Sequence, residues 1–128
     1  MIFYDLFRNS PVFHELGPGQ ILFNEGDVEN DMYVLTEGQA VIELGGLFFD
    51  EIGPGDFVGE LAVIDGSPRL ATVITQTPCN FVRVDRQRFR YLVAENPAFA
   101  LEIMAVMAKR LRRAHEMKRP EAAATPGA

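Results

Sequence analysis

Met32-Tyr33-Val34-Leu35-Thr36-Glu37-Gly38-Gln39-Ala40-Val41-Ile42-Glu43-Leu44-Gly45-Gly46-Leu47-Phe48-Phe49 reads as three short strands in succession. The first apolar run stops at Thr36-Glu37-Gly38, and the second meets the third across Gly45-Gly46. A glycine pair between two such runs tolerates the positive φ values that a tight hairpin demands. The same rhythm extends outward. Ile21-Leu22-Phe23 stops at Asn24-Glu25-Gly26-Asp27, Gly53-Pro54-Gly55-Asp56 forms a further turn, and Ala71-Thr72-Val73-Ile74-Thr75 and Phe81-Val82-Arg83-Val84 complete the set. Short strands at close spacing, separated by glycine turns, predict a mainly β fold with added helices: an antiparallel β-roll or jelly roll over about residues 11–84.

The pattern changes after Val84. Asp85 suits the N-cap of a helix through residue 93, and Asn96-Pro97 restarts a second, longer helix to about residue 118. Phe99, Ile103, Met107 and Leu111 recur every fourth residue, with Ala100 and Met104 alongside. Such a stripe belongs against a core, and in a long helix it also suits a homodimer seam. Residues 3–10 suit a short helical turn. Residues 1–118 are therefore expected to form one domain, followed by a flexible tail over 119–128 of Ala, Thr, Pro and Gly with one Glu.

Composition narrows the function. The chain has 128 residues, 48% of them hydrophobic, enough for one core. A net charge of −6 argues against broad nucleic-acid binding. The exception is residues 109–119, where Lys109, Arg110, Arg112, Arg113, Lys118 and Arg119 face Glu116 alone. That run reads first as a solvated helix end complementing the dipole, with a partner-docking patch or anionic-lipid contact as the alternatives. Cys79 is the sole cysteine, so no internal disulfide forms, which fits a reducing compartment. His14 and His115 lie far apart, without metal-ligand spacing, and no nucleophile–base set has supporting context. No catalytic residue and no metal is expected. The N-terminus lacks a signal-peptide pattern, and residues 97–108, interrupted by Glu102, are too short to span a bilayer. The expected location is the cytoplasm.

Arg69 carries the chemistry. Arg8 is the only Lys or Arg before it, while Asp and Glu recur throughout that stretch. A cation so isolated either pairs with one carboxylate, Glu60 or Asp65 being the nearest in sequence, or receives an anion. The surrounding segment, Gly55-Asp56-Phe57-Val58-Gly59-Glu60-Leu61-Ala62-Val63-Ile64-Asp65-Gly66-Ser67-Pro68-Arg69-Leu70-Ala71-Thr72, favours the anion. Gly59 permits close backbone approach. Residues 60–64 can form a short helix that Asp65-Gly66 ends, and a helix start offers unpaired N–H groups. A guanidinium grips two oxygens at once, and Thr72 adds a hydroxyl. Glu60 would repel a bare phosphate but would accept from a hydroxyl. Phosphate and sugar hydroxyl together imply a nucleotide.

At this point the sequence resembles a family. Gly59-Glu60-Leu61-Ala62 followed by Pro68-Arg69-Leu70-Ala71-Thr72 is similar to the phosphate-binding cassette of cyclic nucleotide-binding domains. Phe23-Asn24-Glu25-Gly26-Asp27 and residues 32–38 resemble the family's early strands. The resemblance implies that Glu60 accepts from the ribose 2′-hydroxyl and Arg69 pairs with the cyclic phosphate. Gly59, Leu61 and Ala62 would line the sugar-phosphate, Leu70 and Ala71 would offer backbone N–H groups, and Val58 and Val73 would line the base pocket. The helix from Pro97 would correspond to the family's C-helix, which covers the base and often dimerises.

Leu70 stands where the family usually has Ala, Ser or Thr, and Ala114 and His115 align with base-contacting hydroxyls of the catabolite activator type. Glu29 stands where glycine is common. Leu70 offers no hydroxyl and more bulk, which makes cGMP the less favoured ligand and cAMP the leading one, and Ala114 and His115 imply a different base contact. The expected function is a stand-alone cyclic nucleotide sensor that signals through its C-terminal helices to an unidentified protein effector, without direct DNA binding. The alternative is a degenerate interaction or dimerisation module that binds no nucleotide.

Overall fold

A computed structural model describes residues 2–117. The chain runs α1 (Ile2–Phe7), β1 (His14–Leu16), β2 (Ile21–Phe23), β3 (Met32–Glu37), β4 (Ala40–Leu44), β5 (Leu47–Ile52), β6 (Phe57–Val58), α2 (Glu60–Asp65), β7 (Thr72–Thr75), β8 (Cys79–Val84), α3 (Arg86–Glu95) and α4 (Pro97–Met117). The strands form two antiparallel four-stranded sheets, ordered β1-β8-β3-β6 and β2-β7-β4-β5. This is the mainly β roll, with short flanking helices and a long C-terminal helix, that the strand rhythm predicts.

Alternation along β3 explains why the first sheet lies at the centre. Tyr33 and Leu35 point into a core shared with the second sheet, together with Phe23, Ile42, Phe49, Val73 and Phe81. Met32 and Val34 point the other way, into a core with Phe3, Phe7, Phe57, Val63, Phe99 and Ile103. A strand covered on both faces reads as a continuous apolar run because its two-residue period serves two cores. Residues 32–35 are all buried for that reason. The second core ties the helices to the roll: Phe3 lies 4.7 Å from Phe57 and 5.0 Å from Phe99, and Phe89 lies 5.8 Å from Phe99, between ring centroids.

Asp85 caps α3 as expected, its carboxylate accepting from the Arg88 N–H at 2.8 Å. Two strands escape the sequence reading. β1 has three residues and little burial, and β6 is two residues inside the turn-like Gly55-Asp56-Phe57-Val58-Gly59. The expected single stripe on α4 divides. Phe99 and Ile103 are its buried residues and Met107 packs at their margin, whereas Leu111 is 72% exposed. The helix leaves the core partway along and continues over an opening in the roll. The expected tail, 119–128, lies outside the described residues.

Candidate functional site

That opening leads to a cavity of about 540 Å³, bounded by the second sheet, by residues 58–62 and 68–71, and by Met107, Ala108, Arg110, Leu111 and Ala114 of α4. Its size suits a small organic ligand. The walls are apolar apart from three charged side chains: Glu60, Arg69 and Arg110.

Arg69 is 3% exposed. Its Nη1 donates to the Asp31 carbonyl at 2.6 Å and reaches the Gly59 carbonyl at 3.4 Å. Phe23 covers one face of the guanidinium, its ring centroid 4.1 Å from Cζ. Nη2 lies 3.4 Å from Glu29 Oε1, and the buried Nε has no hydrogen-bond acceptor. The ion pair considered from sequence, with Glu60 or Asp65, does not form. Asp65 accepts instead from the Ser67 N–H and hydroxyl, which hold its carboxyl below the usual carboxylate range.

Glu60 is 6% exposed and pairs with Arg110, whose Nη1 lies 3.0 Å from Oε1 and 3.2 Å from Oε2. Arg110 Nη2 also donates to the Phe57 carbonyl at 2.6 Å. A carboxylate buried this deeply needs such a partner. Arg110 is the residue that sequence reasoning missed by placing it in a solvated helix end. Its signal was its position seven residues after Ile103 and three after Met107, on the inward face of α4. The neighbouring Arg112 is exposed, and Arg113 faces Asp50 at 3.6 Å.

Backbone geometry builds the floor. Gly59 has φ 82° at the N-cap of α2, and Gly66 has φ 74° at its C-cap. A Cβ on Gly59 would lie 2.5 Å from Arg69 Nη1 and 3.0 Å from the Asp31 carbonyl oxygen. Only glycine meets both demands. Gly59→Ala is expected to destabilise the fold by about 1–3 kcal/mol and to displace the guanidinium. Chemical denaturation and the chemical shifts of the Arg69 side chain would check this, and an unchanged midpoint with unchanged shifts would contradict it.

Of the residues singled out from sequence, Val58, Gly59, Glu60, Leu61, Ala62, Arg69, Leu70, Ala71 and Val73 line the cavity. Leu70 stands at its mouth, 59% exposed. Thr72 is not among the lining residues; its hydroxyl oxygen accepts from the Glu25 N–H at 2.9 Å and pins the loop before β3.

The family model of the cyclic nucleotide-binding domain matches residues 13–96. The chain belongs to this family. The CRP-like cAMP-activated global transcriptional regulator of Mycobacterium tuberculosis is 30% identical over 102 residues, covering 74% of this chain and 45% of the regulator. Human Rap guanine nucleotide exchange factor 3 is 32% identical over 113 residues, covering 85% of this chain and 12% of the factor. The chain thus spans less than half the length of either relative. Among solved structures, cAMP-bound PfPKA-R shares the fold with a TM-score of 0.76 at 24% identity, covering 87% of this chain and 39% of that one. Sp-2Cl-cAMPS-bound PKAR CBD2 gives a TM-score of 0.68 at 26% identity, covering 81% and 71%. The family match ends before α4, so Arg110 lies beyond it.

Proposed function

We propose that this domain binds a 3′,5′-cyclic nucleotide, cAMP first, and passes the bound state through α3 and α4 to a protein partner. The observation that carries the reading is Arg69, buried at the cavity with an unpartnered Nε and flanked by Glu60. The Nε–Nη2 edge would grip the cyclic phosphate, Glu60 would accept from the ribose 2′-hydroxyl, and Val58, Val73, Met107, Leu111 and Ala114 would enclose the base. Arg110 answers the objection that a carboxylate repels phosphate, because its guanidinium balances Glu60. Guanine brings more polar groups than adenine into apolar walls that offer no hydroxyl at Leu70 or Ala114, which disfavours cGMP. That the mycobacterial relative is cAMP-activated supports cAMP as a ligand.

Binding would be transmitted because α4 supplies one cavity wall and the partner of Glu60. A ligand bridging Arg69, Glu60 and that wall favours one placement of α4 over others, which is a population shift. Thermal unfolding and hydrogen exchange test this. At cAMP concentrations 100-fold above Kd the protein should gain about 2.7 kcal/mol, a Tm rise on the order of 10 °C, with altered exchange over residues 95–117. No Tm shift overturns the binding, and a shift without altered exchange overturns the transmission. Failure of binding in a folded protein would favour the interaction-module reading, which draws on the Glu29–Arg69 contact and the departure at Leu70.

A second copy of the chain is the proposed occupant of the outer face of α4. Leu101 and Met104 lie on that face, and Ala108 and Leu111, at further steps of four and three, continue the seam along the rim of the cavity, the spacing of a two-helix contact. Leu101, Met104 and Leu111 are 64%, 54% and 72% exposed. Sedimentation should show a dimer for the wild type and a monomer for a variant carrying Leu101→Glu and Met104→Glu. A monomeric wild type, or a dimeric variant, would overturn this. No single described helix is long and apolar enough to cross a membrane.

A further inference from the structure

Glu29 occupies half of the edge that Arg69 offers to an anion. Nη1 is committed to backbone carbonyls, so the free fork consists of Nε, which has no acceptor, and Nη2, which faces Glu29 Oε1 at 3.4 Å. The Arg69 side chain is 1% exposed and that of Glu29 is 46% exposed, so the carboxylate reaches in from the solvent side and is free to swing away. The other acids nearby are engaged elsewhere. Glu60 pairs with Arg110, and the Asp31 carboxylate accepts from Arg83 Nε at 2.6 Å. Among the described residues Glu29 is therefore the carboxylate that shares the Arg69 charge.

We infer that Glu29 filters the charge of the anion that Arg69 accepts, admitting a singly charged cyclic phosphodiester and rejecting doubly charged phosphomonoesters. The inference rests on the cyclic nucleotide reading of the cavity. A phosphate oxygen bonded to Nη2 would lie within roughly 6 Å of Glu29 Oε1, the sum of a hydrogen-bond length and the observed separation. At that range, beside a buried site, like charges repel strongly and are weakly screened. One negative charge can displace or share Arg69 with Glu29. A second has no cation left to answer it, because Arg110 is held by Glu60 and the Phe57 carbonyl. The filter would let the domain respond to the cyclic nucleotide in the presence of its ring-opened products.

The test is calorimetric titration at pH 8, where monoesters are doubly ionised because their second pKa is about 6. Cyclic 3′,5′-AMP, 3′-AMP and 5′-AMP would be compared on the wild type, Glu29→Gln and Glu29→Asp. The wild type should prefer the cyclic nucleotide by about 100-fold or more, and Glu29→Gln should tighten the monoesters about tenfold more than the cyclic form. Glu29→Asp, which keeps the charge, should retain the wild-type preference. A preference unchanged by Glu29→Gln, or lost equally in Glu29→Asp, overturns the charge filter alone. Absence of cyclic nucleotide binding in all three proteins overturns the underlying reading and the filter with it, whereas cyclic nucleotide binding that appears only in Glu29→Gln supports the reading of the cavity and overturns the filter, because Glu29 then bars the singly charged anion as well.

Discussion

Arg69→Ala is expected to weaken cAMP binding by at least about 100-fold. The substitution removes two charge-assisted hydrogen bonds from the proposed phosphate grip, each worth about 1.5–3 kcal/mol, and 1.4 kcal/mol is about tenfold in affinity. Arg69→Lys keeps the charge but lacks the planar fork, so an intermediate loss of about tenfold is expected. The fold should survive either change. Arg69 contributes one side-chain bond shorter than 3 Å, to the Asp31 carbonyl, and its contact with half-exposed Glu29 is long. Titration of both variants, with circular dichroism as the folding check, tests this. Wild-type affinity in a folded Arg69→Ala variant would remove Arg69 from the site.

Phe99→Ala should cost about 3–5 kcal/mol of stability, the range for truncating a buried phenylalanine. Phe99 is 0% exposed, and it and Ile103 are the two buried residues of α4. Its ring joins Phe3 of α1 and Phe89 of α3, so one truncation loosens three helices. The effect should reach the cavity as well. With its lower half unpinned, α4 holds Met107, Arg110 and Leu111 less firmly over the opening, and cAMP affinity should fall along with stability. Denaturant unfolding measures the first effect and titration the second. A loss below about 1 kcal/mol would mean that α4 is not anchored through this residue.

Sequence alone reveals much of this architecture because its signals are local. Glycines at turns, the Asp85 cap and the Asn96-Pro97 restart act within a few residues of themselves, so strands β3, β4 and β8 and helices α3 and α4 are legible from pattern. β6 is not, because its two residues become a strand only by pairing with β3, through Tyr33–Val58 and Val34–Phe57. The cassette residues are legible because they fall in one continuous segment. Their partners are not. Arg110 lies 50 residues from Glu60, and Glu29 lies 40 from Arg69. Sequence distance offered Glu60 or Asp65 as partners of Arg69, the alternative to an anion, and the fold instead gives Arg69 and Arg110 each a remote carboxylate. The stripe on α4 shows the same limit. Periodicity marks which side faces inward, but only the extent of the roll determines that Phe99 meets core and Leu111 meets a cavity.

The most direct test of the central claim is calorimetric titration of cAMP into the wild-type protein, with its folded state verified beforehand. Saturable binding of one nucleotide per chain, weaker for cGMP and lost in Arg69→Ala, is the predicted result. A folded protein that takes up neither nucleotide at millimolar concentration would contradict the account.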